Sequence, residues 1–391
     1  MFMYDYIIIG AGVSGIVSAI NLSRHGNRVI VLERNSKPLR KLLVTGNGHC
    51  NLYNENQDYK FYHSNDRDLI SKIINDNNLD KYKSFLDSIG IFLTCDNGYY
   101  YPYSKMSSSV SNALLKTISH LNINIICNYE VNDIKYDGCF KIGCYTSKNI
   151  VITTGSPAWY GKSNTLNLLD KLNIDYIPFT PSLCKIKTNQ NFKDISGVRA
   201  YNACLSFYGD GNKIKDECGM LLFKDHELSG ICSFNLSNLF YKYSKSYVLI
   251  DFLHDFSYKD VYSYIDNKSK MFSDRLVSEI LDTLLNYKII KFLIKEVSLS
   301  DKCWNSYSND DKKKIVDILK GYKVSISGTD DFKSSQTVSG GVRLSNINLN
   351  TMEARKHIYV SGEAIDLDGD CGGYNLTIAF ITGLMLGGYN D

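Results

Sequence analysis

The run Tyr6-Ile7-Ile8-Ile9-Gly10-Ala11-Gly12-Val13-Ser14-Gly15 begins as an apolar, β-branched segment of strand length and breaks into Gly-x-Gly-x-x-Gly. A helix pattern follows, in which Ile16, Ala19, Ile20 and Leu22 recur at helical spacing. Next comes a second strand-like run, Arg28-Val29-Ile30-Val31-Leu32, ending in Glu33. Strand, glycine turn, helix, strand and acid in this order predict a βαβ unit with a dinucleotide-binding turn.

Each glycine has a physical task. Gly10 allows a tight turn out of the strand, Gly12 lets the backbone approach a pyrophosphate, and Gly15 lets the helix lie close to the sheet. The helix N-terminus, at Val13 and Ser14, offers unpaired N–H groups and partial positive charge to phosphates. Glu33 is placed to accept hydrogen bonds from an adenosine ribose, and its charge would repel a 2′-phosphate. FAD or NAD therefore fits this turn better than NADP.

Length and composition bound the reading. A chain of 391 residues can build two or three domains with a large core, and 22% charged with 44% hydrophobic residues is an ordinary globular composition. Net charge is only +3, and the longest basic run, Lys312-Lys313-Lys314, follows Asp310 and Asp311 as a solvated helix start would. Nucleic-acid binding therefore has no electrostatic support. Eleven cysteines are scattered without a Cys-x-x-Cys, and reduced thiols in a cytoplasm are expected. Asp5 and the lack of a basic n-region argue against a signal peptide, and no run approaches the roughly eighteen apolar residues of a membrane span. His226 and His254 have no metal-like spacing, so no metal is expected.

After Glu33 and a polar connection comes Lys41-Leu42-Leu43-Val44-Thr45-Gly46-Asn47-Gly48-His49-Cys50-Asn51. Two glycines flank Asn47, which suits close contact with a ligand, although a plain turn would use the same residues. Helices are expected at about 67–75, 79–89 and 107–121, and strands at 123–128, 139–144 and 149–153, the last reaching Thr153-Thr154-Gly155-Ser156. Between the helices, Asn97-Gly98-Tyr99-Tyr100-Tyr101-Pro102-Tyr103 reads as a turn feeding a tyrosine-rich edge, with packing favoured over a substrate pocket. From about 181 short strands and turns such as Asp210-Gly211 suggest a small β domain, and from 257 to 320 Leu276, Ile280, Leu284 and Leu285 fall at helix spacing. Residues 181–334 read as an insertion that caps the nucleotide domain.

The chain then returns to its opening pattern. Ile358-Tyr359-Val360-Ser361-Gly362-Glu363 is another strand ending in an acid, Asp366 to Asn375 is a glycine-rich loop, and Leu376 to Leu386 is an apolar helix. A second strand-loop-helix places another helix N-terminus beside the same cofactor. A cofactor touched from both ends of the chain is long, which favours FAD over NAD. Gly372 and Gly373 would allow backbone N–H groups near the flavin pyrimidine, where reduced flavin is negative.

Several segments together resemble a known family. They are Lys41 to Asn51, Gln336-Thr337-Val338-Ser339-Gly340-Gly341-Val342, Asn350-Thr351-Met352-Glu353, and Ser361-Gly362-Glu363 through Gly372-Gly373-Tyr374-Asn375-Leu376. Ile195-Ser196-Gly197-Val198, Gly219-Met220-Leu221-Leu222-Phe223 and Leu228-Ser229-Gly230 extend the likeness through the middle. The pattern resembles the bacterial FAD-binding NAD(P)/FAD-dependent oxidoreductases, which include aminoacetone-oxidase-type and bile-acid 3-dehydro-Δ4,6-reductase-like flavoproteins. The resemblance implies an α/β fold. A Rossmann-like FAD-binding domain at 1–180 and 335–391 would be split by an inserted small β-barrel domain at 181–256 and 322–334 and a helical cap at 257–321. It also implies cofactor contacts at Gly10, Gly12, Val13, Ser14, Gly15, Glu33 and Arg34, and at Lys41, Leu42, Gly46, Asn47, Gly48, Cys50 and Asn51. Val131, Thr154 and Gly155 would add to them, with Gly362, Glu363, Asp370, Gly372, Gly373, Tyr374, Asn375 and Leu376 near the end. Where the family has Gly-Gly-Gly-Arg-Cys-Asn this chain has Asn47 and His49 in place of a glycine and the arginine, and Thr153-Thr154-Gly155-Ser156 replaces Ala-Thr-Gly-Gly.

Flavin N5 accepts or delivers hydride while the protein orients the substrate. There is no second Gly-x-Gly-x-x-Gly with strand and acid, so NAD(P)H is expected as a transient reductant. The preferred reaction is reduction of an activated C=C bond in a small lipophilic carbonyl compound, with hydride to the β carbon and a proton to the α carbon. His49, Cys371 and Tyr374 are the catalytic candidates, each with a competing role: a turn or pyrophosphate contact, a small buried residue, and packing beside the ring. Two other readings stay open. One is an aminoacetone-type amine oxidase using oxygen; the other is an FAD-containing RNA- or partner-binding protein, against which the near-neutral charge counts. The expected partner is a small-molecule substrate, with no nucleic acid and no membrane.

Overall fold

The computed structural model describes residues 3–388. The chain forms two compact units, one from residues up to Thr180 and from Thr337 onward, the other from Pro181–Gln336.

The first unit is built on a parallel sheet. Its strands are β1 (Met3–Ile9), β2 (Val29–Leu32), β3 (Asn124–Ile126), β4 (Tyr145–Ile152) and β5 (Ile358–Val360), in the order β5-β4-β1-β2-β3. Ile9 at the end of β1 lies opposite both Leu32 and Ile152. Glu353–Arg355 adds antiparallel to β5, and Phe140–Ile142 antiparallel to β4. Strands covered on both faces need continuous apolar runs, and Ile7, Ile8, Val31 and Val151 are each 0% exposed. Burying each such side chain contributes roughly 1.5–3 kcal/mol of transfer free energy.

Helix α1 (Val13–Arg24) joins β1 to β2 and is buried from Val13 to Leu22, because α2 (Tyr374–Leu384) covers its other side. Gly383 makes that approach possible: a Cβ there would stand 2.9 Å from the Ser14 carbonyl oxygen. Asn21 ties the two helices together by donating Nδ2 to the carbonyls of Leu384 (2.9 Å) and Leu386 (3.2 Å).

The expected helices appear as Ile70–Ile73, Asp76–Ser88 and Ser107–His120. Strand β4 starts earlier than expected because Thr146 and Ser147, though polar, are buried opposite Met3 and Tyr4, with the Ser147 hydroxyl donating to the Asn149 carbonyl (2.7 Å). Asn97-Gly98 closes a hairpin of Leu93–Asp96 and Tyr99–Pro102, and Tyr100 stacks on Tyr53 at 4.2 Å.

In the second unit Ile186–Thr188, Glu227–Ser229, Asn212–Lys224, Arg199–Gly209, Ser246–Asp251 and Tyr322–Thr329 close into a barrel. Alternate residues Ala203, Leu205 and Phe207 point into it, as period-two strands require. Helices Tyr258–Met271, Tyr287–Glu296 and Asn309–Gly321 share one buried cluster with the barrel. Lys313 and Lys314 pair with Asp310 and Asp311 at the start of the last of these. Among the described residues no helix is long and apolar enough to cross a membrane.

One expectation is corrected. The thiols are not all reduced: Cys204 and Cys218 are joined in a disulfide. The two sit directly opposite each other on neighbouring antiparallel strands, so register brings them together where spacing in sequence gives no hint.

Candidate functional site

The glycines of the opening turn divide by role. Gly10 has φ +106°, and a Cβ on it would stand 2.4 Å from the Thr153 carbonyl oxygen. A Cβ on Gly15 would stand 2.1 Å from the Gly10 carbonyl oxygen and 2.6 Å from Thr153 Oγ1. These two glycines close the turn against the end of β4, which Thr153 fixes by donating Oγ1 to the carbonyls of Ile9 and Gly10. Gly12 differs: nothing lies within 4 Å of its would-be Cβ. The first backbone bond of α1 runs from Ile16 N–H to the Gly12 carbonyl (3.0 Å), so the N–H groups of Val13, Ser14 and Gly15 lack acceptors in the helix. The open space over Gly12 thus meets a helix N-terminus whose first N–H groups have no acceptor within the helix.

Glu33 is 7% exposed, and its carboxylate bends back to this turn. One oxygen accepts the Ala11 N–H (2.7 Å); the other accepts the Asn35 N–H (2.8 Å). The second oxygen also accepts Asn35 Nδ2 (2.6 Å), so the oxygen on Ala11 is the one that keeps a lone pair for a further donor. Arg34 donates to the Lys162 carbonyl (3.2 Å), and buried Val131 gives its carbonyl to Asn164 Nδ2 (2.7 Å).

In the loop after β2, Gly46 (φ +53°), Asn47 (φ +53°), Gly48 (φ +89°) and Cys50 (φ +58°) all lie in the left-handed region. Two of them are not glycine, and such backbone persists only where the surroundings enforce it. Leu42 and Cys50 are buried anchors, and burial pushes the Cys50 thiol up to about 12. His49 is exposed, with Nδ1 3.1 Å from the Lys105 carbonyl oxygen. Asn51 Oδ1 is buried without a hydrogen-bond partner among the described residues. It would be 2.8 Å from a Cβ on Gly373.

Glu363 gathers four segments. Lys41 Nζ lies 2.6 and 2.7 Å from its two oxygens, and the hydroxyls of Ser156 and Thr337 each donate to it at 3.0 Å. Gly155 is adjacent, while Thr154 turns its hydroxyl to Thr165 (2.7 Å). Gly362, at φ +67°, leaves room for Ser14, whose Oγ would stand 2.4 Å from a Cβ. Lys41, Gly155, Gly362 and Glu363 are thus brought together, with Ser14 against Gly362.

The C-terminal loop ends in Gly372 (φ +136°) and Gly373 (φ +93°) before α2. Thr377 N–H makes the first helical bond, to the Gly373 carbonyl (3.0 Å), leaving the N–H groups of Tyr374, Asn375 and Leu376 without helical acceptors. Asn375 closes the loop on itself, accepting the Gly369 N–H (3.0 Å) and donating to the Gly369 carbonyl (2.7 Å). Tyr374 stacks on Phe61 (5.1 Å) and donates its hydroxyl to the Asn56 carbonyl (3.0 Å); burial raises its pKa. Cys371 is half-buried.

Sequence reasoning overlooked His63. Strand Tyr62–His63 pairs with Asp368–Gly369, and His63 Nε2 lies 2.8 Å from Asp370 Oδ1, with side chains 15% and 3% exposed. The available signal was Asp370 itself, a loop acid that needs a partner once buried.

An open backbone at Gly12, a buried acid with one oxygen still able to accept, two helix N-termini without helical acceptors and the orphaned Asn51 oxygen suit a long dinucleotide such as FAD. The comparisons agree with that fit. The model of the HI0933-like protein Rossmann domain matches residues 4–389. The chain is 26% identical to the 3-dehydro-bile acid Δ(4,6)-reductase of Clostridium scindens over 97% of each protein. It is 25% identical to the ribosomal RNA dihydrouridine synthase of Haemophilus influenzae over 96% of each, and 22% identical to that of Escherichia coli over 97% of this chain and 96% of the relative.

Proposed function

The chain belongs to the HI0933-like Rossmann-domain family and is an FAD-dependent oxidoreductase, and from that premise we propose that it reduces a C=C bond conjugated to a carbonyl group, with NAD(P)H as electron donor. The observation that carries this reading is an end-to-end likeness to two kinds of enzyme whose names describe one chemistry. A Δ(4,6)-reductase acting on a 3-dehydro compound, and a synthase that makes dihydrouridine, each add two hydrogens across a C=C bond activated by a carbonyl.

When bound, FAD supplies hydride at N5. The geometry supports the following residues as those that would hold it. The α1 N-terminus above Gly12 would take the pyrophosphate and Glu33 the ribose. The Lys41 to Asn51 loop and the Glu363 cluster would brace the middle, and the α2 N-terminus at Gly372 and Gly373 would face the pyrimidine end, where its N–H groups stabilise negative charge. A small lipophilic carbonyl compound is the substrate class we favour, since a net charge of +3 gives little attraction for a polyanion. The second reading, a uridine in ribosomal RNA, is favoured by the two synthase relatives.

Anaerobic stopped-flow mixing with NADH or NADPH, followed at the flavin absorbance, tests this. Bleaching, then fast reoxidation by an enone and slow reoxidation in air, is expected. Fast reoxidation by a ribosomal RNA fragment instead would select the second reading. Reduction by amines with prompt peroxide formation in air, or a protein that cannot be loaded with FAD, would overturn both.

A further inference from the structure

We propose that His63 delivers the proton that completes the reduction, with Asp370 as its positioning partner; this rests on the C=C reductase reading above. Three acids line the C-terminal loop, and they are satisfied differently. Asp366 accepts from the neutral groups of Asn65 (N–H at 2.8 Å) and Ser64, and Asp368 accepts the Ser339 hydroxyl (2.9 Å). Asp370 instead faces the imidazole of His63 at 2.8 Å. Backbone holds that contact from both sides: His63 pairs with Asp368, Tyr62 with Gly369, and the Asp370 N–H donates to the Phe61 carbonyl (2.9 Å). The dyad is therefore part of the sheet that carries the loop, immediately before Cys371, Gly372 and Gly373.

The chemistry follows from which nitrogen is occupied. An ionised carboxylate only accepts, so Nε2 keeps its hydrogen on Asp370 and Nδ1 is the atom left to hold or release a proton. Nδ1 has no hydrogen-bond partner among the described residues, and the ring keeps 15% of its surface exposed while the carboxylate keeps 3%. A buried acid behind a part-exposed imidazole orients the ring. Of the other candidates, the Tyr374 hydroxyl donates to the Asn56 carbonyl and His49 Nδ1 lies against the Lys105 carbonyl.

The step balances simply. Hydride arriving at the β carbon leaves an enolate, and the proton on Nδ1 forms the new C–H bond at the α carbon. Imidazolium becomes imidazole, and water restores the proton. The two electrons originate in the dihydronicotinamide.

The test uses His63→Gln and Asp370→Asn in the FAD-loaded full chain. Bleaching by NAD(P)H is recorded first in each variant, so that reoxidation is read from fully reduced flavin. Reoxidation by 2-cyclohexenone or a steroid 4-en-3-one should fall roughly 100-fold or more in His63→Gln, the usual range for losing a general acid, with partial recovery in added imidazole. Nitrogen-15 NMR of the imidazoles should show an Nε2–H on His63 that loses its low-field proton shift in Asp370→Asn, a readout independent of turnover. His63→Asn serves as a second variant should the glutamine form fail to fold. Wild-type reoxidation rates in the His63 variants would overturn the proposal and leave the reductase reading intact. A wild-type enzyme that no enone reoxidises would overturn the reductase reading, and the proposal with it.

Discussion

Lys41 and Glu363, 322 residues apart in the chain, form a two-pronged ion pair, with Nζ 2.6 and 2.7 Å from the two carboxylate oxygens. Because Ser156 and Thr337 also donate to Glu363, the pair fastens the loop after β2, the end of β4, the returning segment and the end of β5 in one cluster. Glu363→Gln keeps the shape and removes the charge, so it should cost about 2 kcal/mol, the scale of hydrogen bonds to a charged group, and loosen FAD retention. Lys41→Met should cost a similar amount. The double variant should lose less than the sum of the two, measured by thermal unfolding and FAD release in a double-mutant cycle.

The glycine turn makes a sharper prediction. Gly15→Ala puts a Cβ within 2.1 Å of backbone, so the turn itself must shift and both stability and FAD occupancy should fall. Gly12→Ala meets nothing within 4 Å, and its φ of −73° suits any residue. The unfolding midpoint of its apoprotein should stay near wild type while FAD affinity drops about tenfold or more, as expected if that space belongs to the pyrophosphate. Isothermal titration of apoprotein with FAD separates the two effects.

What the sequence revealed follows periodicity and local chemistry. The βαβ unit was legible because parallel strands covered on both faces must be apolar throughout, as Ile7 to Ile9 and Val29 to Leu32 are. The early start of β4 was not, because Thr146 and Ser147 hide polar groups behind pairing with β1. The Glu363 cluster was half legible: its residues lay in recognisable motifs, but only the fold shows Lys41, Ser156 and Thr337 converging on one carboxylate. The disulfide and the His63–Asp370 pair are products of strand register, which no spacing rule supplies across 14 or 307 residues.

Thiol chemistry should follow burial. Cys50 sits inside the motif loop with its thiol pushed up to about 12 by desolvation, so at pH 8 only about one molecule in ten thousand carries the thiolate there. Iodoacetamide applied to the native protein should label exposed Cys95 and Cys144 and spare Cys50 until unfolding. Peptides holding Cys204 and Cys218 should appear cross-linked until a reductant is added. Peptide mapping by mass spectrometry reads both outcomes, and early labelling of Cys50 would contradict its burial.

The acid limit of stability should carry the signature of Asp5 at the foot of β1. Burial opposes its charge, but the Arg28 N–H (3.0 Å), Lys148 Nζ (2.9 Å) and Arg28 Nε (3.3 Å) outweigh that, and the carboxyl is held below its ordinary value of 3.8. A group whose pKa is lowered by folding contributes stability above its unfolded pKa and loses it as pH falls through the folded value. The contribution should therefore be complete at neutral pH and start to be lost as pH falls below about 4. Since the two cationic partners are half exposed, Asp5→Asn should remove only about 0.5–1 kcal/mol at pH 7. Denaturant unfolding from pH 7 to pH 3 should show the wild-type and variant curves converging at the acid end; a constant gap would mean that Asp5 acts through shape rather than charge.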